Sequence, residues 1–411
     1  MIPQLVRHNR GFRLLISASA LSNLGDGIAL VAFPWLATLM TRDPVLIAAT
    51  AAAQRLPWLL FTLPVGVWTD RADRRMMIVR TDMLRLVLML IAMTMALSPA
   101  AIGDGAGSVL ALAVVTFLFG TAEVVRDNAA QTLLPAVVDA PDLERANGQL
   151  MTVEQIAGQF IGPPLAGLLM ALAAALPFGA NSWAYAASAA LIALIALPRH
   201  QPSASPEGFL TALSEGLRWL RGNPLILRLA VMLGAINAGF AGGMAVLVLY
   251  AQDVLGLPAS AYGMLLTFGA IGGVAGGLAA PHVAGRLGMR NSLRVALAGF
   301  AISNLTLGLT ADPALAAMAL ATEAASGMLW NVVTISYRQR LIPGTLLGRV
   351  NSVYRFLGWG AMPLGALAAG MLVSALTPAW GAGPALHAPY LVAALTSALL
   401  ILLASRRLQG A

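Results

Sequence analysis

Gly66-Val-Trp-Thr-Asp70-Arg71-Ala-Asp73-Arg74-Arg75 closes one apolar stretch, Val45–Trp68, and leads into the next, Met76–Leu97. Each stretch exceeds the ~20 residues that cross the ~30 Å hydrocarbon core of a bilayer. The charged turn between them belongs in water, and its arginines place it on the cytoplasmic side. The stretch therefore reads as a hairpin of two membrane-spanning helices.

The rest of the chain repeats this pattern. Of its 411 residues, 59% are hydrophobic and 10% charged, against roughly a quarter charged in a soluble domain. Spans are expected over Arg13–Met40, Val45–Trp68, Met76–Leu97, Ser108–Thr132, Gly148–Leu176 and Ala180–Leu197. A second set is expected over Leu225–Gln252, Ser260–Gly285, Ser292–Thr310, Ala314–Tyr337, Val350–Leu376 and Tyr390–Ser405. The first of these is too long for the apolar core of a cleaved signal and no small-residue cleavage site follows it, so it is expected to stay.

Arginine counting sets the orientation. Arg7, Arg10, Arg71, Arg74, Arg75, Arg145, Arg199, Arg218, Arg221, Arg286, Arg290, Arg406 and Arg407 fall on one side, and only Arg42 lies in the opposite loops. The expected fold is thus an all-α membrane protein with twelve transmembrane helices and both termini cytoplasmic, in the plasma (inner) membrane. The net charge of +8 is a consequence of topology and gives no reason to expect a nucleic-acid partner.

Composition also removes chemistries. There is no cysteine, and all 25 basic residues are arginine. Disulfides, iron–sulfur clusters, thiolate catalysis, Schiff bases and the lysine-containing phosphate loop of ATPases are excluded. His8, His200, His282 and His387 are scattered and form no ligand set. No metal, cofactor or ATP is expected. Asn23-Leu-Gly25-Asp26 lacks the first glycine of the membrane aspartyl protease motif, and no GxSxG or HExxH is present, so an enzyme is not expected.

The longest polar interval, Pro198 to Pro224, falls near the midpoint. Phe209, Leu210, Leu213, Leu217 and Leu220 recur there at helical spacing, which predicts an amphipathic helix lying on the membrane surface. The interval divides the chain into an N-terminal six-helix bundle (1–198), a cytoplasmic linker (199–224) and a C-terminal six-helix bundle (225–411). The halves echo each other. Gln131-Thr-Leu-Leu-Pro135 followed by Arg145-Ala-Asn147 matches Gln339-Arg-Leu-Ile-Pro343 followed by Arg349-Val-Asn351. Internal duplication of this kind is a mark of secondary transporters, with the substrate site near the midplane between the repeats.

The Gly-x3-Asp-Arg-x2-Arg-Arg spacing at Gly66, Asp70, Arg71, Arg74 and Arg75 resembles the loop between helices two and three of the major facilitator superfamily, with Asp73 where that pattern has its second glycine. The resemblance covers the whole chain and implies two pseudo-symmetric bundles. It also implies that Asp70, Arg71 and Arg74 lock the cytoplasmic ends of the halves when the cavity faces out, with Asp127 and Arg75 in the same gate. Asp70 is a candidate acceptor for free N–H groups at a helix start. Span five carries Gly158-Gln-Phe-Ile-Gly162-Pro163-Pro164-Leu-Ala166-Gly167, similar to the antiporter motif of drug–proton exchangers, with Ala166 in place of one glycine. The wording around Asp26 and Arg126 is similar to the enterobactin-exporter and macrolide-efflux branch.

Ionisable groups inside the membrane are costly and point to function. Asp26 lies roughly 20 Å from the inner end of span one and Arg55 roughly 15 Å from the outer end of span two, at the helical rise per residue. The two are expected to face each other, either as a permanent salt bridge or as part of a proton site. Ser19, Ser22, Asn23 and Asp26 share one face, expected to line a wet cavity. Glu123, Arg126 and Asp127 on span four and Glu154 on span five read as local charge pairing or as a proton relay. Glu323 and Asn331 in span ten and Asn237 in span seven add polar points. The glycines of span eight, Gly269 to Gly277, read as close helix packing. The expected function is export of a small organic solute, drug-like or siderophore-like, by proton antiport and alternating access. The alternative is a facilitator or lysolipid-type transporter of the same fold.

Overall fold

The computed structural model describes residues 4–97, 106–196, 209–342 and 344–407. They are helical almost throughout, and no strand occurs among the described residues. After a short turn at Gln4–His8 come α1 (Arg10–Met40), α2 (Pro44–Arg71), α3 (Arg74–Leu97) and α4 (Ala106–Leu133). Next is α5, an α-helix over Leu143–Glu154, a π-helix over Gln155–Ile161 and an α-helix over Gly162–Leu172. The remaining long helices are α6 (Leu176–Ala193), α7 (Phe209–Gly222), α8 (Pro224–Asp253), α9 (Ala259–Leu309), α10 (Pro313–Leu341), α11 (Gly344–Trp380) and α12 (Ala388–Arg407).

Eight helices among the described residues are long and apolar enough to cross a membrane. α3 is not one of them, and the reason is instructive: Arg80, Asp82 and Arg85 interrupt its apolar run. Its polarity is inverted. Leu84, Val87, Leu90 and Ile91 are exposed, while Asp82 and Arg85 are completely buried. A helix turns its charges inward and its leucines outward only where the outer medium is apolar.

α9 is one continuous element by hydrogen bonding but breaks at Gly288, whose φ of 69° is the left-handed region. It thus forms two helical runs, as the Ser260–Gly285 and Ser292–Thr310 stretches predict. The Gly148–Leu176 prediction overshoots. The helix ends at Leu172, because Ala173 is extended and Pro177 belongs to the first turn of α6.

The chain forms two compact units. The first comprises Met1–Arg42, Ala53–Ser205 and Pro258–Met264, and the second Asp43–Ala52, Pro206–Leu257 and Leu265–Ala411. In the first unit α1 packs along α5 and α6, and α3 packs along α4 and α6. In the second, α8 packs along α11 and α12. Both central seams are built on glycine. A Cβ on Gly27 would lie 2.2 Å from the Gly158 carbonyl oxygen, and one on Gly162 would lie 2.6 Å from the Gly27 Cα. In the second unit a Cβ on Gly365 would lie 2.1 Å from the Ala238 oxygen. Small residues let the backbones touch, which is how helices gain packing where lipid removes any hydrophobic drive.

A direct test contrasts two glycines of α5. Gly162→Ala meets backbone and should destabilise by about 1–3 kcal/mol. Gly148→Ala has nothing within 4 Å and should gain up to about 1 kcal/mol from helix propensity. Thermal unfolding of the purified variants in detergent measures both, and equal midpoints would remove the seam from the account.

The linker helix α7 departs from expectation. Leu220 is fully buried and, with Leu217 and Trp219, joins the core formed by Ile226, Leu229, Trp330 and Tyr354. Glu215 forms an ion pair with Arg349. The predicted surface helix thus spends this apolar edge on the second unit. A membrane surface was the other partner open to an amphipathic stripe, and periodicity alone does not choose between them. The side chains of Phe209, Leu210 and Leu213 lie outside the described residues.

Candidate functional site

Four helices of the first unit each turn a polar stripe toward one buried point. α1 contributes Ser22 and Asp26, one turn apart. α3 contributes Asp82 and Arg85, α4 contributes Glu123, Arg126 and Asp127, and α6 contributes Asn181, Tyr185 and Ser188. Spacings of three, four and seven residues put each set on a single helical face.

Arg85 is at the centre. Its guanidinium is fully buried and pairs through Nη2 with Asp26 Oδ1, the Asp26 side chain being 21% exposed. Nη1 donates to Ser22 Oγ at 2.9 Å and lies 3.7 Å from Asp82 Oδ1. The cation stacks on Tyr185 at 4.2 Å and Phe119 at 4.8 Å from the ring centres, contacts that favour a desolvated cation. The Tyr185 hydroxyl donates to Asp26 Oδ1 at 3.0 Å.

A second pair extends this one. Asp82 Oδ2 accepts from Ser188 Oγ at 2.6 Å, and Asp82 Oδ1 lies 3.4 Å from Arg126 Nε. Arg126 is almost fully buried and reaches Asp127, whose side chain is 33% exposed, at 3.5 Å. The chain of alternating charge runs Asp26, Arg85, Asp82, Arg126, Asp127. Buried charges survive in such a place only when paired.

The expected partner of Asp26 is corrected here: Arg85 takes that place, and Arg55 does not. Arg55 is exposed and acts electrostatically on Glu123. Equal depth on neighbouring spans was the basis for pairing Arg55 with Asp26, but depth leaves the angle about each helix axis free. The wet cavity face is corrected as well. Ser19 and Ser22 are buried, and Asn23 bonds back to the Ser19 carbonyl, so of that stripe Asp26 is the ionisable member with partial exposure.

Sequence reasoning passed over Asp82, Arg85, Tyr185 and Ser188. A signal was present: an acid and a base three residues apart inside an apolar run. It was masked by Arg74, Arg75 and Arg80 just before it, which read as the positive cytoplasmic end of the span.

Glu154 is exposed at the entrance to the π-helix and feels Asp127 and Arg126, so these groups do come together. Glu323 lies in the second unit, buried, accepting from Asn304 Nδ2 at 3.0 Å. Asn237 bonds to the Gly358 carbonyl at 2.9 Å, and Asn331 is exposed. The span-eight glycines pack as expected: a Cβ on Gly272 or Gly276 would enter the backbone of Ala321 or Ala325.

Around the charged turn, Arg74 Nη1 donates to the Thr132 carbonyl at 2.9 Å and Arg75 Nη1 to the Ile195 carbonyl at 3.1 Å. Both arginines thus satisfy carbonyls at the ends of α4 and α6. Asp73 Oδ1 accepts from the Met76 N–H at 3.1 Å, so the N-capping carboxylate that can be seen at this helix start is Asp73. No residue other than glycine has positive φ among the described residues, so Asp73 replaces a glycine without adopting a left-handed turn. The backbones of Gly66, Asp70 and Arg71 are helical in α2, and their side chains lie outside the described residues.

The antiporter-like stretch coincides with the π-helix. Pro163 and Pro164 supply no N–H, and the ladder before them slips to the wider i to i+5 pattern, a usual accommodation of proline in a helix. Gly158 and Gly162 face Gly27, and a Cβ on Gly167 would lie 2.5 Å from the Ala259 oxygen at the opening turn of α9.

Comparison with known proteins agrees with this architecture. Residues 6–408 match the family described as transmembrane secretion effector. The multidrug efflux pump Tap of Mycolicibacterium fortuitum is 27% identical over 405 residues, covering 95% of this chain and 94% of Tap. Tap of Mycobacterium tuberculosis is 27% identical over 410 residues, covering 94% and 91%. Among solved structures, a bacterial homologue of the iron transporter ferroportin in its inward-facing state aligns with a TM-score of 0.76 at 18% identity, covering 97% of this chain and 99% of that one. The nucleoside transporter NupG aligns with a TM-score of 0.72 at 14% identity, covering 98% of this chain and 100% of that one. These likenesses show the fold. The chain belongs to the transmembrane secretion effector family of the major facilitator superfamily, and it is a multi-pass plasma-membrane transporter and not an enzyme.

Proposed function

We propose that this transporter exports a small organic solute, drug-like or siderophore-like, in exchange for protons, with Asp26 as the group that takes the proton. Twelve spans in two six-helix bundles with cytoplasmic termini, gated at Asp70, Arg71 and Arg74, complete the reading. One observation supports it above the others. Within a buried set of paired charges, Asp26 is the acid of the Arg85 pair that keeps partial exposure. A proton reaching it removes one charge from the set and leaves Arg85 to find another partner. The curated relatives named as multidrug efflux pumps favour export of drug-like solutes.

The test is counterflow and pH-driven flux in proteoliposomes containing the full-length protein, against a panel of cationic drugs, macrolides and catecholate siderophores. Efflux of at least one compound that follows the imposed proton gradient is expected. Equal flux with and without the gradient would make the protein a facilitator.

A further inference from the structure

We infer that Asp82 is a positioning residue for proton coupling: it competes with Asp26 for Arg85, and so passes the state of Asp26 on to Arg126 and Asp127. This rests on the reading of Asp26 as the proton site and adds how that site is heard elsewhere in the unit.

The geometry of the joint carries the inference. Asp82 Oδ1 has two guanidinium nitrogens nearby, Arg126 Nε at 3.4 Å and Arg85 Nη1 at 3.7 Å. It nevertheless has no hydrogen-bond partner, although it is buried. Arg85 Nε, Arg126 Nε and Arg126 Nη2 are buried and unpartnered as well. The unsatisfied atoms therefore collect where the two ion pairs meet. Arg85 spends its donors on Asp26 and Ser22, and Arg126 is shared between Asp82 and Asp127. Buried polar groups left in this condition favour any rearrangement that pairs them.

Such a rearrangement is available. Neither arginine gives up its proton, so the array responds to a proton on Asp26 by moving positive charge. A neutral Asp26 still accepts from Tyr185 but attracts Arg85 less. Arg85 then closes the short gap to Asp82, its neighbour one turn back on α3. Asp82, satisfied by Arg85 and by Ser188, releases Arg126 toward Asp127. No covalent bond other than the proton's own is made or broken. The groups facing this path are Asp26, Asp82, Glu123, Asp127, Arg55, Arg85, Arg126 and the Tyr185 hydroxyl, and Glu154 feels the Asp127 end. A proton bound beside Arg85 is thereby reported at the partly exposed Asp127.

Because the chain has no cysteine, a single Asn128→Cys beside Asp127 reports the rim without interference. The full-length protein is reconstituted, and the rate of thiol labelling is followed across pH. The same cysteine in an Asp26→Asn background gives the thiol's own pH dependence. A labelling step above that baseline is expected with Asp26 and Asp82 intact, lost in Asp82→Asn and restored in Asp82→Glu. If Asp82→Asn does not fold, Asp82→Asn with Arg126→Gln removes one acid and one base together and carries the same expected loss. A step that persists without Asp82, while flux remains pH-driven, overturns the coupling through Asp82 alone. Flux that ignores the proton gradient, with no step at the rim, overturns the proton reading and this inference with it.

Discussion

Arg85→Ala should give the largest loss of folded protein of any single change in the first unit. The substitution leaves Asp26 without its ion-pair partner and takes from Asp82 one of its two neighbouring guanidiniums, Arg126 staying at 3.4 Å, and it strips the faces of Tyr185 and Phe119 of their partner. Breaking a buried pair by removing one member costs about 3–5 kcal/mol, because the remaining charge is stranded. Removing both members costs less. Arg85→Gln with Asp26→Asn should therefore recover most of the stability lost in the single variant, without recovering coupled transport. Thermal midpoints of the purified proteins in one detergent measure this. An Arg85→Ala protein as stable as wild type would mean that the guanidinium is solvated. A double variant no better than the single one would mean that Arg85 and Asp26 do not depend on each other.

Asp26→Asn should abolish efflux driven by a pH gradient while the protein still inserts, folds and exchanges substrate in counterflow. The amide keeps the shape of the carboxylate and its oxygen still accepts from Tyr185 and Arg85, so both hydrogen bonds stay and the fold loses only the attraction of the negative charge for Arg85, roughly 1–2 kcal/mol. Asp82 at 3.7 Å stays to hold the Arg85 charge. What the amide cannot do is bind and release a proton. Gradient-driven flux at the level of empty liposomes, beside measurable counterflow, is the expected pair of results. Undiminished gradient-driven flux in this variant would leave Asp26 a structural residue.

Much of the architecture was legible in the chain itself. Runs of apolar residues, interrupted by short arginine-rich turns, dictate membrane helices because an unpaired backbone cannot stand in hydrocarbon. The boundaries follow from the same residues that end helices in water, as at Gly288 and before Pro177. Glycine-rich seams announce themselves by spacing, and the Gly158–Gly162–Pro163 stretch does form one. Family membership was readable from Gly66, Asp70, Arg71, Arg74 and Arg75. Asp26 could be singled out from the sequence too, since one carboxylate in a long apolar helix has no cheap explanation.

The tertiary structure alone decided how these parts meet. Depth in the membrane can be counted along a helix, but the direction a side chain faces depends on the rotation of each helix about its axis, which packing sets. That rotation gave Asp26 to Arg85 and left Arg55 with Glu123. It also gave the apolar edge of α7 to the second unit. The α3 charges stayed hidden for a related reason. Arg80 and Arg85 look alike in sequence, yet Arg80 is exposed and Arg85 is fully buried. Composition and spacing thus settle that the chain spans a membrane as helices, since each residue's transfer cost is its own. Which charges neutralise which is a property of pairs, and pairs exist only once the helices have packed.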